Sequence, residues 1–142
     1  MIHIVKLCVG ANSIDDLAAW AATRIESNLR SGRGRVSDHV TRMFPKRRGE
    51  LLAGGSLYWV IKGAVLVRQR MLDLQVHRGD DAIPRCLILL DPALVPTQAQ
   101  SRKAFQGWRY LACDEAPPDL RGKTGASAPP SLRAELVALG LL

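Results

Sequence analysis

The chain has 142 residues, 47% hydrophobic and 23% charged, a balance that suits one folded domain with a real core and excludes a disordered or fibrous chain. No run approaches the ~18–20 apolar residues of a membrane helix, and Met1 to Gly10 lacks the small-residue cleavage site of a signal peptide, so no membrane partner is expected and the cytoplasm is the expected location. The net charge is +7, and +6 of it falls between Asn28 and Arg48, where seven basic residues accompany a single acid, Asp38.

In chain order, Ile2, Ile4, Val5, Leu7 and Val9 predict a first strand that ends at Gly10. Asn12 or Ser13 caps a helix with Asp15 and Asp16 in its first turn, and Ile14, Leu17, Ala18, Ala21, Ile25 and Leu29 form its apolar stripe. Ser31 to Arg35 is a Gly/Arg-rich loop. Val36 to Met43 reads as a second strand. Pro45 opens a short helix that Gly54-Gly55 stops. Ser56 to Lys62 is a third strand, punctuated by Gly63.

Ala64 to Val76 is a long strand whose apolar phase changes: Val65 and Val67 point one way, Leu72, Leu74 and Val76 the other. A bulge or bend at Arg68-Gln69-Arg70 would restore one buried face, and such bends help close small barrels. His77 to Ile83 is a hairpin loop and Arg85 to Leu90 its return strand. Leu94 to Gln106 reads as irregular, and Trp108 to Leu111 as a last strand. The expected fold is α+β, with a mostly antiparallel, strongly bent sheet or small partly closed barrel and flanking helices. One domain over 1–113 is followed by a Pro/Gly-rich linker over 114–130 and a closing helix over 131–142, on which Leu132, Leu136 and Leu139 share a face.

Basic residues beside aromatics suit nucleic acid, which offers phosphates and π-faces. The candidate phosphate contacts are Arg42, Lys46, Arg47 and Arg48, with Lys46 and Arg47 in the first turn of a helix where backbone N–H groups also favour anions. Arg68 and Arg70 share a strand face and would extend that track across the sheet. Tyr58 and Trp59 are strand neighbours that face opposite sides, so one is expected in the core and the other as a stacking platform. Phe105 to Tyr110 reads as an aromatic clasp over the barrel mouth.

Catalytic signatures are thin. No HExxH, GxSxG or paired-carboxylate motif occurs, and Gly54-Gly55 precedes a strand where a phosphate loop precedes a helix. Cys8, Cys86 and Cys113 are odd in number and widely spaced, which fits a reducing compartment and not zinc; neither a metal nor another cofactor is expected. RNA or another nucleic acid is the leading partner. The alternatives are a small enzyme that handles an anionic metabolite with His39 and Arg68 or Arg70, and an interaction module that docks a protein partner through the C-terminal helix.

Two resemblances join this reading. Ile4-Val5-Lys6-Leu7-Cys8-Val9-Gly10, Thr41-Arg42-Met43, Pro45-Lys46-Arg47, Gly54 to Gly63, Leu90-Asp91-Pro92, Leu94-Val95-Pro96-Thr97 and Phe105 to Leu111 together resemble a bacterial family of small proteins whose function is unassigned. Glu50 to Trp59, with the strand Arg68 to Leu74, is similar more loosely to the small barrels of the PUA-like group, which embraces PUA, ASCH and EVE domains. Gly54-Gly55-Ser56 stands where that group often carries an acidic Gly-Asp turn. The PUA-like resemblance implies a barrel that binds RNA or modified bases.

Overall fold

Seven strands and two helices follow one another in the computed structural model, which describes residues 1–120 apart from Val9, Ala104 and Gln106. They are β1 (Ile2–Leu7), α1 (Ile14–Arg30), β2 (Ser37–Thr41), α2 (Arg48–Leu52), β3 (Ser56–Ile61), β4 (Ala64–Arg78), β5 (Pro84–Leu90), β6 (Val95–Ser101) and β7 (Trp108–Ala112). The sheet runs β2-β5-β4-β3-β1-β7, with β6 beside the first half of β4. All pairs are antiparallel except β1 with β3. The sheet-rich α+β expectation therefore holds, with a mixed sheet that is not closed by strand pairing.

β4 is the spine. Its first half lies between β3 and β6, and its second half pairs with β5. The expected phase change is present but sits elsewhere. Arg68, Gln69 and Arg70 pair regularly with Tyr58, Leu57 and Ser56, while the register slips on either side, between Val65 and Val67 and between Met71 and Asp73. The first slip sends Val65 and Val67 into different apolar clusters, and the second lets Met71 and Leu74 share one. Two bulges thus do what a single bend was expected to do: each inserts a residue and increases local twist.

Register assigns the two faces, because cross-strand partners share a face. Lys6, Trp59 and Trp108 are partners on the inner face, which carries the larger core of Ile4, Leu57, Met71, Ile88 and Leu90. Val5, Tyr58 and Arg68 are partners on the outer face, where Val60, Val65 and Leu111 form a smaller core.

Helix α1 is capped by Ser13, whose side chain accepts the Asp16 N–H at 3.1 Å. Leu17, Ala21 and Asn28 are its buried positions, whereas Leu29 and Ala18, expected in the stripe, are exposed. The last buried turn is polar for a reason: the Asn28 side-chain amide donates to Val36 O at 2.7 Å and Asp38 Oδ2 at 2.9 Å, which ties the helix end to β2.

Helix α2 begins at Arg48 and not at Pro45. Its last buried residue, Leu51, plugs the inner core, and the chain turns into β3 through Gly54, at φ +101°, and Gly55. A Cβ on Gly55 would lie 2.3 Å from Ile2 O and 2.4 Å from Leu51 O, so only glycine fits.

Two segments depart from the sequence reading. Residues 95–101 form strand β6 where irregular chain was expected; Pro96 and a polar composition hide a strand that pairs with β4 and is bridged on its other side only by a short strap. Residues 114–120, expected to open a free linker, instead return across the outer face as a strap. Gln98 N–H donates to Pro118 O at 2.9 Å, Leu120 N–H to Pro96 O at 3.0 Å, and Thr97 bridges Asp119. The rest of the expected linker and the helix over 131–142 lie outside the described residues. No helix among the described residues is long and apolar enough to cross a membrane.

Candidate nucleic-acid interface

Two edges of the sheet, β2 and β7, are joined without strand pairing. The chain leaving β2 crosses to β7, where Trp108 Nε1–H donates to Met43 O at 3.0 Å and the Tyr110 hydroxyl accepts the N–H groups of Lys46 at 3.0 Å and Arg47 at 3.2 Å. Trp108 and Tyr110 meet edge to face at 4.9 Å. The expected aromatic clasp is therefore real in these two rings. Lys46 and Arg47, expected in the first turn of the helix, precede it instead, and their N–H groups are bonded to Tyr110.

Beneath this crossing lies a cleft of about 570 Å³, lined by Lys6, Val40, Thr41, Arg42, Met43, Gly107, Trp108 and Arg109. Lys6 is half-buried, and burial pushes its ammonium below the ordinary lysine value, with the Cys8 thiol acting weakly the other way. It forms no ion pair among the described residues. A desolvated ammonium without a carboxylate is a site that favours an anion.

The basic block divides once its partners are visible. Arg30 pairs with Glu26 at 2.8 Å, Arg33 with Asp38 at 3.6 Å, Arg47 with Glu50 at 2.6 Å, and Arg48 with Asp73. Arg47 also lies over the Tyr110 ring at 5.4 Å. Such exposed pairs are worth only about 0–1 kcal/mol each, but each cancels a local charge. Arg35, Arg42 and Lys46 remain without an ion pair among the described residues, and all three are exposed.

The two expected platform residues are both buried. Tyr58 is 4% and Trp59 3% exposed, so neither ring offers a face to a base. Trp59 Nε1–H donates to Gln69 Oε1 at 2.9 Å, and its ring meets His39 edge to face at 5.1 Å. Tyr58 packs against His3 at 5.0 Å. Central strand β3 is covered on both faces, which overrides simple alternation. Two aromatic residues are exposed among the described residues: Trp20, at 42%, on α1, and Phe44, at 39%, beside Met43 at 67%. The place of Phe44 between Arg42 and Lys46 in the sequence was the available signal.

The continuous track from Arg42 to Arg70 is also corrected. Arg68 shares the outer face with Tyr58, and Arg42 lines the inner cleft with Lys6 and Trp108, so the sheet separates them. Arg70 is exposed and two residues along from Arg68 on β4. The cleft expected to join His39 to Arg68 or Arg70 is not formed, since His39 packs against Trp59 on the inner face. Burial, then Lys6 and Arg24, lower the His39 imidazole to about 4, against a weaker pull from Asp38. Cys8 and Cys86 are buried thiols pushed up to about 11 by desolvation, which makes them poor nucleophiles. Among the described residues no cluster of three His, Cys, Asp or Glu side chains is placed to hold a metal.

Fold and site thus define a small, sheet-rich α+β protein with a basic cleft where its two sheet edges meet. The chain belongs to the family described as protein of unknown function DUF1489, whose model matches residues 4–142. No curated protein and no solved structure matched the chain.

Proposed function

We propose that this protein binds single-stranded nucleic acid, RNA above all, in the inner-face cleft. One observation carries the reading: Arg42 and Lys46, exposed and without ion pairs among the described residues, flank exposed Phe44 in a segment whose Arg42 and Met43 line a cleft together with Lys6. Arg42 and Lys46 contact phosphates, Lys6 meets an anion that enters the cleft, and Phe44 stacks on a base. The volume of about 570 Å³ suits one or two nucleotides and not a duplex.

The fold supports a finer grouping. The order β1-α1-β2-α2, a curled sheet plugged by Leu51 of α2, and two edges tied by the β2–β7 crossing support a PUA-like barrel. Cytoplasmic RNA is the partner that grouping implies.

The test is fluorescence anisotropy of a labelled, mixed-sequence RNA of about a dozen nucleotides at low salt. Binding that weakens steeply as salt rises, and falls for Arg42→Gln/Lys46→Gln, supports the assignment. Equal affinity for single-stranded and duplex RNA would contradict the stacking role of Phe44.

A further inference from the structure

We propose that the outer face carries a second ligand site, which takes a small-molecule carboxylate on Arg68, His3 and Tyr58, and that Asp119 is the chain's own occupant of its cationic end. The site is a cleft of about 340 Å³ between the sheet and the strap, and those four residues line it with Ser56 and Cys113. It lies across the sheet from the basic cleft, and its argument is independent of nucleic-acid binding.

The donors are arranged by the fold. Ser56 N–H donates to His3 Nδ1 at 2.9 Å, so the neutral ring carries its proton on Nε2. Burial first, and then Arg68 and the N-terminal ammonium, hold that ring in its neutral form. Neither His3 Nε2 nor the Tyr58 hydroxyl has a hydrogen-bond partner among the described residues, and both side chains line the cleft. Both can donate to a ligand oxygen.

Arg68 supplies the charge. Its Nε and Nη2 hold Asp119 at 2.8 and 2.9 Å, and Nη1 donates to Ser56 Oγ at 2.9 Å. The fork is thus already engaged with a planar carboxylate in the two-point geometry that guanidinium favours. Asp119 arrives on the strap, 51 positions along the chain, and is itself 38% exposed. An incoming carboxylate that replaces it gains the same fork together with the His3 and Tyr58 donors, which Asp119 leaves unused. Nε and Nη2 of Arg68 stand side by side, a fork that matches the two oxygens of a planar carboxylate better than a tetrahedral phosphate.

The test uses benzoate as probe and the full chain labelled at histidine and tyrosine, followed by NMR. Benzoate is expected to shift the His3 and Tyr58 signals with millimolar affinity. Asp119→Asn, which removes the competing carboxylate charge from the fork, tightens binding about tenfold, and Tyr58→Phe, which keeps the ring packed and the strap latched, weakens it several-fold. Arg68→Gln abolishes it. Should Asp119→Asn unfold, the wild-type and Tyr58→Phe titrations decide alone. Benzoate that leaves both signals unmoved, or binds Tyr58→Phe as well as wild type, overturns the site. Binding of neutral benzamide as tight as benzoate, or of inorganic phosphate in preference to it, overturns the carboxylate assignment.

Discussion

The two clefts lie on opposite faces of one sheet, and both contain arginine or lysine, yet they differ in who neutralises the charge. On the outer face Arg68 is held by a carboxylate of its own chain at 2.8 Å. On the inner side Arg42, Lys46 and Lys6 have no ion pair among the described residues. The contrast teaches that a run of basic residues is a poor measure of a basic site. Four of the bases between Asn28 and Arg48 have acid partners, and only the remainder can project a field toward a polyanion.

The comparison breaks most visibly by charge reversal. Arg42→Glu/Lys46→Glu is expected to lower RNA affinity on the order of a hundredfold at low salt, because two phosphate contacts become repulsions. Anisotropy checks it, and a loss of only a few-fold would place the site elsewhere.

The next effect, about 2–3 kcal/mol, belongs to pH. His39 is buried beside Trp59 with its pKa lowered to about 4, against about 6.5 in the unfolded chain. As pH falls below 6.5 the unfolded chain takes up the proton first. Stability is therefore complete above 6.5 and is lost progressively toward pH 4. His3, on the outer face, is lowered as well and adds a loss of the same sign. Urea denaturation at pH 7 and pH 4.5 should show this difference, and His39→Gln should reduce it. An unchanged pH dependence in His39→Gln would mean that the ring is hydrated in the folded state.

Phe44→Ala tests the aromatic part of the proposed RNA contact. Loss of one stacked base should weaken single-stranded RNA binding about tenfold and leave the salt slope unaltered. The smallest change is expected for Arg30→Gln and Arg47→Gln, whose guanidinium groups are paired with Glu26 and Glu50. Each should bind RNA within about twofold of wild type.

Much of the fold was legible because it rests on local signals. The Ser13 cap, the Gly54-Gly55 stop and the apolar runs of β1, β3 and β5 located their elements within a few residues. Strand β6 was missed because a strand with Pro96 and little apolar alternation carries no periodic signal. The candidate site was legible in part. Arg42 and Lys46 stood out in the basic run, and the structure leaves both exposed and without an ion pair among the described residues. The neutralising partners Glu50, Asp73 and Asp119 were not identified, and two of those contacts span 25 and 51 positions. Tyr58 and Trp59 misled because alternation predicts one exposed face per strand, and β3 sits in a sheet covered on both sides. Lys6 was given no role in the sequence reading, and only its place opposite Trp59 and Trp108 and in the cleft lining singles it out.

The most direct test of the central claim is the salt dependence of RNA binding for wild type, Arg42→Gln/Lys46→Gln and Arg30→Gln/Arg47→Gln, measured together. If the cations without acid partners make the site, the slope of log affinity against log salt falls by about 1.4 in the first variant, roughly 0.7 for each lost contact on a single strand, and is unchanged in the second. Equal slopes in all three proteins, or a loss confined to Arg30→Gln/Arg47→Gln, would contradict the account.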